Sequence, residues 1–109
     1  MGFVEAPRSV ADLVRIAREL TLPQLANMLP GGATPLVPLD ELERMGFKVA
    51  VDPTSTLAHT GFAVRQLAAA WRDAGSVAGL QDHMLSFAAV KEAVGVDSLL
   101  AGKIGRAHV

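Results

Sequence analysis

Three short apolar segments, each followed by a helical pattern and none joined to the next by a hairpin signal, constrain this chain more than anything else in it. Gly2-Phe3-Val4-Glu5, Gln24-Leu25-Ala26-Asn27 and the alternating Phe47-Lys48-Val49-Ala50-Val51 read as strands. Between the first two, Ser9 and Asp12 resemble a capping box with Asp in the place of Glu, ahead of Val10, Leu13, Ile16 and Leu20 at helical spacing. Between the second and third, Gly31-Gly32 makes a turn, and Leu39, Leu42 and Met45 mark one face of a short helix closed by Gly46. Strands separated in this way are expected to be parallel, with helices as the crossovers.

After Asp52-Pro53 a long helical pattern runs from about Ser55 to Ala74. Leu57, Phe62, Val64, Leu67, Ala68, Ala70 and Trp71 cover most of its circumference. That distribution predicts burial on more than one side, with Trp71 as a packing residue and Arg65 and Arg72 on a solvated face. Gly75 ends the pattern. Ser86 caps a further helix containing Ala89, Val90, Ala93 and Val94, and Asp97 starts one more short turn through Leu100.

Each strand hands over to a polar residue at its carboxyl end: Glu5, Asn27 and Asp52, spaced by 22 and then 25 residues. In parallel α/β sheets and barrels, ligands bind in the crevice at the carboxyl ends of the strands. A polar residue there can face a substrate. It can also serve the backbone: Asn27 can close its own turn, and Asp52 before Pro53 suits a turn or a helix cap. Gly31-Gly32 reads as a plain turn rather than a phosphate cradle. His59 and His83 lack an acidic partner at ligand spacing, so they do not announce a metal site.

With 109 residues, half of them hydrophobic, and a formal charge of -1, the chain amounts to one domain at most. Three strand-helix units fall well short of the eight, over about 250 residues, that close a barrel. The absence of cysteine excludes disulfides and a thiol nucleophile within these residues. Acids and bases are interspersed, leaving no nucleic-acid footprint, and no apolar run approaches the roughly 18 residues of a membrane span. No secretion or lipidation signal opens the chain, so the cytoplasm is the expected compartment.

The last seven residues, Lys103-Ile104-Gly105-Arg106-Ala107-His108-Val109, are what one reading frame of a common sequencing-adapter end encodes. Residues 103–109 therefore read as an adapter-derived tail and residues 1–102 as the natural part. On this expectation the reading frame came from a short DNA read and is truncated at the front as well.

The segments Phe3-Val4-Glu5-Ala6-Pro7, Leu25-Ala26-Asn27-Met28 leading into Gly31-Gly32-Ala33-Thr34-Pro35-Leu36, and Glu41-Leu42 with Met45-Gly46-Phe47 before a strand ending in Asp52-Pro53 resemble the isocitrate lyase and phosphoenolpyruvate mutase superfamily. The resemblance covers nearly all of residues 2 to 100. It implies the C-terminal part of a (β/α)8 TIM-like barrel, with three parallel strands, crossover helices and C-terminal helices that often swap between subunits.

The activity it implies is Mg2+-dependent lysis of a C–C bond, or decarboxylation, in a small 2-oxo or 2-hydroxy carboxylic acid through an enolate. A phosphoenolpyruvate mutase-type rearrangement of a P–C bond is the alternative within the superfamily. By the same resemblance Glu5 is the catalytic candidate and acts on Mg2+ indirectly, through its water shell, while Asn27 and Thr54 meet the substrate. The implied parent is a homo-oligomer with C-terminal helix swapping. The superfamily's metal-binding aspartates, gating loop and lyase cysteine lie on earlier strands, so this fragment is expected to be inactive alone.

Three departures narrow the branch. Pro30 stands where a glutamate often follows the strand-end Asn; of the arginines that clamp carboxylates in methylisocitrate lyases, one aligns with Ala58 and another falls near Phe87, and both are missing here. A tricarboxylate substrate is therefore not expected, while oxaloacetate decarboxylase-like and carboxyphosphonoenolpyruvate mutase-like branches stay open. Outside the superfamily, a noncatalytic small α/β binding or oligomerisation module is the competing reading.

Overall fold

The computed structural model describes residues 1–107, with backbone alone for 103–107. The adapter-like tail thus lies partly outside the described residues. Two compact units divide the chain, residues 1–64 and 65–109, and the division falls within one long helix.

The first unit holds β1 (Gly2–Phe3), α1 (Val10–Glu19), β2 (Gln24–Asn27), α2 (Leu39–Met45), β3 (Val49–Val51) and the start of α3 (Ser55–Ala74). All three strands are parallel in the order β1-β2-β3, as the missing hairpin signals require. Phe3 pairs with Leu25, Leu25 with Val49, and Asn27 with Val51. One sheet face meets α1 and α2, and the core forms there from Leu13, Ala26, Val37, Leu42 and Phe47, with Ile16, Ala17, Met28, Met45 and Ala50 packed around it.

Local sequence fixes the ends of these elements. The Ser9 hydroxyl accepts the Asp12 N–H at 3.0 Å, and the Asp12 carboxylate reaches back to the Arg8 N–H at 3.2 Å. The cap is therefore reciprocal, but it closes one residue farther upstream than the capping box expected from sequence. α2 ends at Gly46, whose φ of 111° a side chain would resist. There the N–H groups of Gly46 and Phe47 bond to Glu43 O and Leu42 O. This is a Schellman closure, and its usual apolar contact is made by Phe47 and Leu42 within the core.

Two strands are shorter than the sequence pattern suggests. β3 begins at Val49 because the Phe47 N–H is spent on closing α2 and its ring turns into the core. β1 stops at Phe3 because Ala6, with φ of 49°, turns the chain out of the extended path soon afterwards.

In the second unit a 3-10 turn at Ala78–His83 precedes α4 (Phe87–Ala93) and α5 (Val96–Ala107). The Ser86 hydroxyl caps α4 by accepting the Ala89 N–H at 3.1 Å, as predicted. The 3-10 turn carries no clear signal in the sequence. α5 is longer than the single turn expected from Asp97 to Leu100, since no proline interrupts it.

The sequence also predicted a long helix buried on more than one side. α3 has the predicted length but no buried residue: Leu57 is 77% exposed, Phe62 60% and Trp71 57%. The apolar circumference is real, and the described residues do not cover it. Trp71 is therefore not a packing residue here.

Candidate active site

Two of the predicted residues, Glu5 just beyond the end of β1 and Asn27 at the end of β2, come to one place in the fold. Both line a cleft of ≈ 60 Å³ at the carboxyl ends of these strands. That volume suits several water-sized groups. The Gly32-Ala33-Thr34 turn and Leu29 close one side, and Leu13, Ile16 and Phe47 supply its apolar floor.

Among the described residues, Glu5 is the one charged group lining this cleft. It is exposed and directly precedes Ala6, which holds a left-handed backbone between Glu5 and Pro7. A non-glycine residue in this region costs on the order of 1–3 kcal/mol, and such strain clusters at functional sites.

Asn27 ends β2, and its backbone belongs to the sheet. Its side-chain Oδ1 is buried without a hydrogen-bond partner. A buried amide oxygen left unpaired costs about 1–3 kcal/mol. The reading in which Asn27 closes its own turn therefore fails in this structure: no bond from Oδ1 to its own backbone is present. The turn itself is made by the backbone, Gly32 N–H to Leu29 O at 3.1 Å with Gly31 at φ of 80°.

Thr54 sits apart from this cleft, exposed just past β3. Its N–H donates to Asp52 Oδ1 at 3.3 Å, and the Ser55 N–H donates to the same oxygen at 2.9 Å. Asp52 is therefore a cap at the start of α3. Hydrogen bonds from the Ser55 side chain, then from the Ser55 and Thr54 backbone, hold its carboxyl below the usual carboxylate range. Sequence reasoning gave no site role to Thr34 or Leu29, although Thr34 follows the Gly-Gly turn that signals a loop at the strand ends.

The Mg2+ implied by the resemblance can be tested against these donors. Among the described residues no three His, Cys, Asp or Glu side chains come together to hold a metal. Mg2+ demands near-octahedral oxygen coordination. Glu5 alone can hydrogen-bond to the water shell of such an ion but cannot make its binding site. Among the described residues, no helix is long and apolar enough to cross a membrane.

No family model matches the sequence. Curated relatives do: it is 30% identical over 97 residues to 2,3-dimethylmalate lyase of Eubacterium barkeri, covering 89% of this chain and 34% of that protein. It is 34% identical over 91 residues to the chloroplastic carboxyvinyl-carboxyphosphonate phosphorylmutase of Arabidopsis thaliana, covering 84% of this chain and 26% of that protein. Among solved structures, oxaloacetate acetylhydrolase with the inhibitor 3,3-difluorooxalacetate superposes with a TM-score of 0.83 at 27% identity, over 97% of this chain and 35% of the other. The trigonal crystal form of 2,3-dimethylmalate lyase, described as a PEP mutase/isocitrate lyase superfamily member, matches at a TM-score of 0.62 and 27% identity, over 88% of this chain and 35% of the other. The chain thus spans about a quarter to a third of the length of these proteins. Over the residues matched, it is similar in sequence and fold to members of the PEP mutase/isocitrate lyase superfamily, matching part of their (β/α)8 barrel.

Proposed function

We propose that these residues supply part of the substrate site of a cytoplasmic lyase that breaks a C–C bond, or decarboxylates, in a small 2-oxo or 2-hydroxy carboxylic acid through an enolate. The observation that carries this reading is the convergence of Glu5 and Asn27 on one cleft at the carboxyl ends of parallel strands, with Asn27 Oδ1 buried and unpaired. With that oxygen buried, the amide offers its Nδ2 hydrogens to a substrate carboxylate, while Glu5 supplies the negative charge of the same cleft. Mg2+ belongs to the proposal: its direct ligands would come from residues outside this chain, and Glu5 would hydrogen-bond to its water shell. The same residues suit rearrangement of a P–C bond, a second reading favoured by the 34% identity to the Arabidopsis thaliana phosphorylmutase.

The proposal includes a homo-oligomer that exchanges C-terminal helices, since α3 leaves Leu57, Phe62 and Trp71 exposed. It also includes inactivity of the 109-residue chain alone.

The test is a chimera in which residues 1–102 replace the aligned segment of the Eubacterium barkeri lyase. Cleavage of 2,3-dimethylmalate by the chimera, with none by the isolated chain, is expected. A chimera that melts cooperatively yet cleaves nothing would contradict the proposal.

A further inference from the structure

The connection from β1 to α1 is anchored at both ends. Phe3 is paired in the sheet, and the Ser9 hydroxyl and Asp12 carboxylate fix the start of α1. Between these anchors one residue other than glycine has positive φ, Ala6 at 49°, and it lies between Glu5 and Pro7. Pro7 locks its own φ near −65° and pushes the residue before it toward extended conformations. Ala6 therefore adopts its left-handed turn against both its own Cβ and its proline neighbour. With the chain held at Phe3 and again at Ser9, and with the φ of Pro7 locked, a different backbone at Ala6 would have to be taken up largely by the torsions of Val4 and Glu5.

We propose that Ala6 is a positioning residue whose left-handed backbone sets the Glu5 carboxylate in the cleft that Asn27 also lines. The inference rests on the functional reading only for the use made of Glu5; the placement itself is tested without turnover. In the intact 109-residue chain, the side-chain amide resonances of Asn27 are followed by NMR as pH carries Glu5 through its titration. The Asn27 shift should follow the Glu5 titration in the natural sequence and be flat in Glu5→Gln. Ala6→Asn, which tolerates the left-handed region, should retain that response. Ala6→Val, which does not, should lose at least about half of its amplitude. Resonances of the Asp12 N–H report whether the α1 cap is intact, separating displacement of Glu5 from unfolding. Should Ala6→Val fail to fold, Ala6→Thr is the milder β-branched replacement and the same loss is expected. Full retention of the response in a folded β-branched variant would overturn the assignment, as would a response that survives Glu5→Gln. Loss of turnover in the chimera with this coupling intact would instead count against the functional reading alone.

Discussion

In the chimera described above, Asn27→Ala is expected to lower kcat/KM roughly a hundredfold while leaving the melting temperature within a few degrees. The size follows from the removal of one preorganised donor from a partly water-excluded site, where such losses run about 10²–10³ in rate. The small effect on stability follows from the state of the side chain in this structure. Asn27 Oδ1 makes no hydrogen bond, so truncation removes no intramolecular bond to that atom and relieves an unpaired buried one. A purely structural Asn would show the reverse, a marked loss of stability and little change in kcat/KM. Steady-state kinetics and thermal melts of the same protein separate the two.

Leu42→Ala is expected to destabilise the first unit by about 2–5 kcal/mol. Leu42 is 2% exposed and packs in the core that joins α2 to the sheet. Its carbonyl also receives the Phe47 N–H that closes the helix, so collapse of the site around alanine would have to move the Schellman turn as well. The loss is a large fraction of the whole stability of a small domain, typically about 5–15 kcal/mol. Leu57→Ala provides the comparison within the same chain. Leu57 is 77% exposed, and its replacement should change stability by no more than about 0.5 kcal/mol. Urea unfolding followed by circular dichroism measures both, and equal effects at the two positions would contradict the core assigned here.

The parallel topology was legible because three independent local signals agree: apolar strands, helical spacing between them, and no tight hairpin turn. Gly46 announced its helix end because only a residue without Cβ accepts a φ of 111° at no cost. The meeting of Glu5 and Asn27 in one cleft was only partly legible. Their polarity at the strand ends is visible in sequence, but the β1–β2 pairing that brings their segments together is a long-range contact. Ala6 was not legible at all, since nothing about alanine before proline suggests a left-handed backbone. The exposure of α3 was misread for a different reason. A helix that is apolar around most of its circumference is made to be covered, but sequence does not say whether the covering surface is present in the same chain. Thr54 follows the third strand end in sequence, yet its N–H is drawn to Asp52 as part of a helix cap and its place is outside the cleft.

The most direct measurement is a crystal structure of the chimera with oxalate, the product bound in one solved structure of oxaloacetate acetylhydrolase. The account predicts an oxalate oxygen within hydrogen-bonding distance of Asn27 Nδ2, with Glu5 lining the same pocket. Oxalate bound within the barrel but away from both residues would contradict it.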